Sequence, residues 1–337
     1  MLAYTLRRIL ITIPVFIGIT MLVFTIGFAN PDGGALNSFN KPGRPLSAEQ
    51  VKALEHRLGY DKSIPEQYVS WFSKILRGNL GNSVLTGRSV GEAIKERLLP
   101  TLLLMGSSLL LQELLAIPSG IFSALRKGTI FDQIITIVTY VLFALPTFWF
   151  GLMAIVIFGV YLGWFPFGGI IDIRTAGAAF GTPAYWDYFH ANTVQAVIDI
   201  ARHLILPVSV LGAASYAADS RFMRSQMLSV LNQDYVRTAK AKGLTQRSVI
   251  LKHALRNALL PVVTNIGLQL PVLFSGALVT EQIFGWPGMG RFYINAALTE
   301  DYPVVIAYTV IIAVFTLTVN LLTDLSYGLI DPRIRYS

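Results

Sequence analysis

The chain has 337 residues, 53% hydrophobic and only 14% charged, with a formal net charge of +8 and a mean hydropathy of +0.57. A soluble globular domain carries about 25% charged residues, so this composition excludes an ordinary soluble protein. The lack of cysteine excludes disulfides, thiol catalysis and thiolate metal sites.

Residues 9–29 follow Arg7-Arg8 and run uncharged for 21 residues, long enough to cross a bilayer and too long for the apolar core of a signal peptide. The expectation is an uncleaved first span with a cytoplasmic N-terminus. Residues 30–98 change character and are polar, with mixed charge. Ser47 with Gln50 forms a capping box ahead of Val51, Leu54 and Leu58, and Gly59 supplies a stop. Pro65 suits a first helical position, and Val69, Phe72 and Leu76 make a stripe that ends at Gly78. Ser89 with Glu92 is a second box before Ile94 and Leu98. This region reads as an extracytoplasmic helical insertion, packing on itself or offering a docking surface.

A second span is expected at 98–125, interrupted by Gln112 and Glu113 and closed by Arg126-Lys127. The third, 134–162, contains Pro146 and is expected to be kinked or tilted. A loop of about 40 residues with Trp164, Trp186 and several tyrosines follows, an interfacial aromatic set. A fourth span begins over 203–218 and runs into Asp219, Arg221 and Arg224. The fifth is expected at 257–280, loosened by Gly267, Pro271 and Gly276, and the sixth at 302–323.

Continuous apolar runs argue for helices rather than a barrel, because lipid demands that each segment satisfy its own backbone groups. The fold class is therefore all-α, a polytopic membrane protein of about six spans. Lys and Arg support both termini in the cytoplasm: 14 fall in the inner segments and 3 in the outer ones, leaving aside the long loop after the first span. The positive charge thus reads as topology, not as nucleic-acid binding, for which no motif is present.

No Gly is followed by Lys, so a Walker A phosphate loop is absent. Four histidines at 56, 190, 203 and 253 show no HExxH or i, i+4 pairing, and no metal site is expected. An intramembrane hydrolase would have to pair Ser119 with His203, which the span assignments put at opposite ends. Charged groups at membrane depth are costly, and this makes Glu113, Asp219 and Asp324 candidates. Asp219 and Asp324 lie near span ends with bases close by. Glu113, with Gln112, lies deepest and either lines a wet path or pairs with a partner subunit. Gln112, Glu113 and Gln269 are the path candidates.

The stretch 234–261 is basic throughout after Asp234, carrying Arg237, Lys240, Lys242, Arg247, Lys252 and Arg256. A helix reaches Lys242, Gly243 permits a left-handed turn, and a second helix climbs to Pro261. Asp234 is the expected N-cap, with Tyr235 and Val236 on the side of Ala239. There the small Ala239 would let another protein's backbone approach, flanked by Arg237, Lys240 and Lys242. The alternatives are a handle for a partner and an ordinary positive-inside loop.

Several pieces, collinear along nearly the whole chain, carry a resemblance. They are YTLRRILITIPV at the N-terminus, RGNLGNSVLTGRSV, LPTFWFGL around Pro146, HLILP at 203–207 and RTAKAKGL at 237–244. HALRNALLPVVT at 253–264, TEQIFGWPGMGR, DYPVV and DPRIR complete the set. The chain resembles the membrane subunits of binding-protein-dependent ABC importers, in the dipeptide/oligopeptide/nickel branch, and 234–261 is similar to their EAA loop. Arg237-Thr238-Ala239 stands where the wider superfamily has Glu-Ala-Ala, and Leu260-Pro261 lie further from Gly243, as is usual in the peptide branch.

The resemblance implies a type I importer permease fold, with an N-terminal span at 1–29, an outer helical region at 30–98 and a permease core at 99–337 that includes a coupling loop at 232–261. It implies a solute path shared with a second, homologous permease, two ATP-binding subunits beneath and an extracytoplasmic solute-binding protein outside, in a bacterial or archaeal cytoplasmic membrane. ATP and Mg would be bound by the ATPases, and this chain would hold no cofactor. Asp234, Tyr235, Arg237, Ala239, Lys240, Lys242 and Gly243 would form the ATPase-coupling element. The implied cargo is di- or oligopeptides; the alternative reading is a secondary transporter or channel.

Overall fold

The computed structural model describes the backbone of residues 2–28, 47, 49–50, 56 and 62–330, with side chains among these between 6 and 323. In chain order the helices are α1 (Leu2–Phe28), α2 (Ile64–Leu76), α3 (Val90–Leu125), α4 (Ile130–Ala144), α5 (Thr147–Tyr161), α6 (Ile173–Ala176), α7 (Pro183–Ala191) and α8 (Thr193–Leu231). After them come α9 (Asp234–Ala241), α10 (Gln246–Ser275), α11 (Leu278–Ile283), α12 (Met289–Leu298) and α13 (Tyr302–Ile330). Among the described residues no strand occurs, and the one isolated bridge pairs Asn82 with Ser89. Among the described residues five helices are long and apolar enough to cross a membrane, or up to six spans if the bent pair α4–α5 counts as one.

Four expectations about the spans need correction. The third is not a kinked rod: α4 and α5 meet at 100° across Leu145–Pro146. Proline lacks the N–H that would continue the helix and forces the preceding residue out of the helical region, and Leu145 sits at ψ 125°. The second span starts at Val90 rather than 98, and the fourth extends over Thr193–Leu231 rather than 203–218. Charge at 95–97 and 219–224 falls inside these helices and does not end them. The fifth begins at Gln246 and stops at Ser275, because Gly276 takes φ +75°. A π-helical stretch, Val249–Leu255, lies near its start.

Among the described residues the helix signals of the polar region are met in part: α2 forms, but it packs through Trp71 and Ile75, while Val69 and Leu76 of the expected stripe are exposed. Ser47 N–H donates to Gln50 Oε1 at 2.9 Å and Gln50 N–H to Ser47 Oγ at 3.3 Å, while Val51, Leu54, Leu58 and Gly59 lie outside the described residues. α2 ends as expected at Gly78, φ +76°, with Gly78 N–H on Ile75 O and Asn79 N–H on Lys74 O. The side chain of Asp324 is outside the described set.

The chain divides into two compact units. In the first, residues 1–99 with 288–337, α1 packs along α13 through Val23, Ile306 and Val310, and α2 adds Trp71 and Ile75. Thr20 Oγ1 and Tyr68 Oη are 2.9 Å apart within this seam. The turn at 77–90 is held by Asp301, whose carboxylate accepts from Ser83 Oγ at 2.5 Å and Val84 N–H at 3.2 Å. Two of the resemblance pieces, RGNLGNSVLTGRSV and DYPVV, therefore bind each other.

The second unit, 100–287, is built on α8. Leu206 and Val210 pack against Ala154 and Phe284. Met223 and Met227 pack against Ala124, Ala254, Ala258 and Val262. Tyr185, Leu104 and Trp286 form a third cluster with Val208. Trp286, fully buried, donates its Nε1–H to Pro100 O at 2.9 Å. Glu281, also fully buried, accepts from the Thr101 hydroxyl at 3.1 Å and Ala277 N–H at 3.3 Å. In this unit the TEQIFGWP portion of its motif is a packing anchor rather than a reactive site.

Candidate functional site

The basic stretch forms a helical hairpin. α9 has eight residues, too few to be stable in isolation. Its apolar face stabilises it: Val236 is fully buried and Ala239 nearly so, packed with Val249 at the start of α10 and with Val230 at the end of α8. Burying a valine side chain stabilises by about 1.5–3 kcal/mol. The turn is a Schellman closure, with Gly243 N–H on Lys240 O at 3.0 Å, Leu244 N–H on Ala239 O at 3.4 Å, and Gly243 at φ +77°. Thr245 then caps the next helix, its Oγ1 accepting from Ser248 N–H at 3.4 Å.

Two local readings change. Gln233, not Asp234, is the N-cap; Asp234 is the first helical residue, where its charge still favours the helix N-terminus. Ala239 faces this chain's own Val236 and Val249, so it offers no surface to a partner. The 3.6-residue period identified an apolar face but not what covers it. Asp234, Tyr235, Arg237, Lys240, Lys242 and Gly243 are all exposed. Arg237 Nη1 lies 3.7 Å from Asp234 Oδ1, both highly exposed, an ion pair of little energy.

The path candidates Gln112 and Glu113, adjacent on α3, come together with Gln269, 157 residues after Gln112. Gln112 on α3 is buried, and its Nε2 lies 2.8 Å from Asp219 Oδ2, 2.8 Å from Gln269 Oε1 and 3.3 Å from Glu113 Oε1. From α10, Asn265 Nδ2 donates to Asp219 Oδ1 at 2.9 Å, and Gln269 Nε2 reaches the two Asp219 oxygens at 3.4 and 3.1 Å. Asp219, on α8 and 7% exposed, is thus ringed by side-chain amides from two neighbouring helices rather than by a base. Sequence reasoning set it aside as a span-end acid and missed Asn265 altogether. Glu113 Oε2 is buried with no hydrogen-bond partner.

A second polar node lies further along α8. Arg224 grips Asp132 of α4 in a bidentate pair, Nε to Oδ1 and Nη2 to Oδ2 both at 2.8 Å. Asp132 also accepts from the Ser123 hydroxyl and, at 2.9 Å, from Gly128 N–H. Between the two nodes α3 and α8 touch closely. Ser119 Oγ is 2.9 Å from Ser220 Oγ, and a Cβ added at Gly120 would lie 2.6 Å from Ser220 O.

Neither node is a catalytic constellation. Ser119 meets Ser220, which is 17 residues beyond His203 on one continuous helix, about 25 Å away at 1.5 Å per residue. The hydrolase pairing therefore fails on distance. Among the described residues no group of three or more His, Cys, Asp or Glu is arranged to hold a metal ion.

Comparison with known proteins agrees with this architecture. A family model for the binding-protein-dependent transport system inner membrane component matches residues 116–336, and the N-terminal model for the same membrane components matches residues 1–104. The chain is 41% identical over 337 residues, all of both chains, to the oligopeptide transport system permease protein AppB of Bacillus subtilis. It is 38% identical over 336 residues to the di/tripeptide transport system permease protein DppB of Pseudomonas aeruginosa, covering 100% of this chain and 99% of the relative. It is also 38% identical over 344 residues to the dipeptide transport system permease protein DppB of Escherichia coli K12, with the same coverage. An all-helical, multi-pass chain that matches both models and aligns end to end with such permeases belongs to the family of binding-protein-dependent transport system inner membrane components.

Proposed function

We propose that this chain is the membrane-spanning permease subunit of an ATP-driven importer of di- or oligopeptides, the cargo named for its relatives. It works with a second homologous permease, two ATP-binding subunits that hold ATP and Mg, and an extracytoplasmic solute-binding protein. It has no catalytic activity or cofactor of its own, and both termini lie in the cytoplasm. The observation that carries this reading is the hairpin at α9. An exposed, basic helix is held by a buried face to α8 and α10, so that a push on it is delivered to two spans.

Asp234, Tyr235, Arg237, Lys240 and Lys242 form the surface presented to the ATPase, and Gly243 sets its angle. Ala239 serves the same element from its inner side. Gln112, Glu113 and Gln269, with Asp219 and Asn265, form a polar station on the solute path. Amide side chains suit a path for peptides, because they both donate and accept hydrogen bonds, as peptide groups do. ATP-driven closure of the ATPases would rock the spans between inward- and outward-facing arrangements.

The test is reconstitution of the full complex in proteoliposomes with the binding protein outside and ATP inside. ATP-dependent uptake of labelled peptides is expected. Arg237→Glu with Lys240→Glu is expected to reduce co-purification of the ATPase, while the permease still inserts. Full recovery of ATPase at low and high salt would remove charge from the docking account. A second reading, a cation-coupled carrier, is favoured by one observation: Gln112 bridges Glu113 and Asp219, two acids at membrane depth. Uptake that persists without ATPase subunits and follows an ion gradient would select it.

A further inference from the structure

Outside the hairpin and the amide station, the segment joining α5 to α8 forms, with α8, a half-open pocket of about 470 Å³, within the size range of small-ligand sites. Ile171, buried, lines it, with Phe167 and Ile198 at more exposed positions. Two carboxylates also line it, and both are oriented by the fold. Asp172 caps α6, accepting from Arg174 N–H at 3.0 Å and from the Thr175 hydroxyl at 2.9 Å. Asp199 of α8 accepts from Asp172 N–H at 2.8 Å and lies 3.2 Å from His203 Nδ1. The Arg174 amide, then the Thr175 hydroxyl, hold the Asp172 carboxyl below its usual range. A carboxylate offers about four acceptor positions, so both acids keep capacity for a cation.

Arg202 lines the same pocket, is exposed, and its side chain takes part in no hydrogen bond or ion pair among the described residues. It stands three residues after Asp199 on α8, a spacing that puts Cβ atoms about 5–6 Å apart. An extended dipeptide spans about 7 Å. Opposite charges within side-chain reach of such a molecule, beside the apolar Ile171, Phe167 and Ile198, match a short molecule with an ammonium at one end and a carboxylate at the other.

We propose that this cavity is a binding site for short zwitterionic peptides, with the ammonium on Asp172 and Asp199, the carboxylate on Arg202, and an apolar side chain against Ile171, Phe167 and Ile198. The proposal rests on the reading of the chain as a peptide-importer subunit, which puts this segment on the outer side, and it adds a receiving station ahead of the amide ring. A guanidinium makes paired hydrogen bonds to a carboxylate, so Arg202 discriminates a free C-terminus.

The experiment uses the assembled complex in nanodiscs, without binding protein or nucleotide, and tritiated L-alanyl-L-phenylalanine as the probe. Saturable binding is expected, with N-acetyl-Ala-Phe and Ala-Phe amide each competing about tenfold less well. Arg202→Gln is expected to weaken Ala-Phe about tenfold and to leave the amide unchanged, abolishing that discrimination alone. Arg202→Lys keeps the charge and restores part of it. Asp172→Asn, which leaves Asp199 in place, is expected to reduce discrimination against the acetylated peptide only. Ile198→Trp, filling the cavity from an exposed position, is expected to abolish binding without changing any charge. Absence of saturable binding overturns the proposal. So does binding that Arg202→Gln and Ile198→Trp leave untouched, since the peptide would then sit elsewhere. ATP-driven uptake is measured in parallel with binding protein present. Uptake without this binding removes only the outer site, whereas binding without ATP-driven uptake removes only the importer reading.

Discussion

Asp219 is where the structure makes its most quantitative demand. Replacing it by Ala removes the acceptor for three amides, at 2.8 Å from Gln112, 2.9 Å from Asn265 and 3.1 Å from Gln269. Gln112 keeps Gln269 Oε1 and Glu113 Oε1 as acceptors, so the unpaired donors are those of Asn265 and Gln269. Both donors are half-buried, so each falls at the low end of the about 1–3 kcal/mol that a buried unpaired group costs. Removing a desolvated charge returns part of this, leaving a net destabilisation of about 1–2 kcal/mol. Asp219→Asn keeps one acceptor but turns an amide group towards other amides, and is expected to cost about 1–2 kcal/mol. The assay is the melting temperature of the detergent-purified complex, combined with a Gln112→Ala, Asp219→Ala double-mutant cycle. Coupling of at least about 0.5 kcal/mol is expected for side chains in direct contact. If Asp219→Ala melts with the parent protein and the cycle is additive, the amide ring does not hold the three helices together.

At Gly243 an added Cβ would meet nothing within 4 Å, so only φ +77° opposes a side chain; a non-glycine residue there costs about 1–2 kcal/mol. Gly243→Asn is expected to retain most ATP-dependent uptake and Gly243→Val to lose most of it, and equal uptake by the two would refute the left-handed requirement. Val236→Asp puts an unpaired charge into the seam between α9 and α10, and limited proteolysis is expected to cut the hairpin in this variant and not in Arg237→Ala. Gly120→Leu must push α3 from the α8 backbone, since even a Cβ would lie 2.6 Å from Ser220 O; overpacking of this kind costs about 1–3 kcal/mol, read as a lower melting temperature. Hydrogen exchange around the Leu145–Pro146 joint and at Gly276–Ala277 is expected to differ between nucleotide-free and nucleotide-bound complex, with 219–231 protected in both. Change confined to 219–231 would overturn that assignment.

The presence and rough place of the spans were legible, though not their ends, because lipid thickness sets a length and composition reports it, and Pro146 and Gly276 announced breaks through their own backbone limits. The size of a break was not legible: a proline states that the ladder stops, but the 100° between α4 and α5 is set by packing against α8. The amide ring was half legible. Gln112, Glu113 and Gln269 stood out as polar residues in apolar runs. Asp219 did not, because charge counted along the chain put it with Arg221 and Arg224, whereas its contacts come from residues 107 and 50 positions away. Ala239 shows the complementary failure. Helical periodicity located an apolar face, and a face that fits a partner has the same period as one that fits the chain's own next helix.

The same two helices, α8 and α10, carry both the hairpin and the amide ring, and under the proposed function this constrains how a push at α9 would travel. From Asp219 to the end of α8 at Leu231 is 12 residues, about 18 Å of helix. Over that interval α8 is zipped to α10 by Met223 and Met227 against Ala254, Ala258 and Val262. It is joined to α3 by the Ser119–Ser220 contact and the missing Cβ of Gly120, and to α4 by the Arg224–Asp132 pair. Packed interfaces switch between discrete arrangements rather than deform continuously, so four helices tied at this density move as one piece. Movement is then absorbed where the ladder is already interrupted. Within the second unit two such places flank this body: Leu145–Pro146, where α4 turns into α5, and Gly276, where α10 ends. Under the proposed function, the amide ring rides with the body as its clasp, and the joints at Pro146 and Gly276 are its hinges.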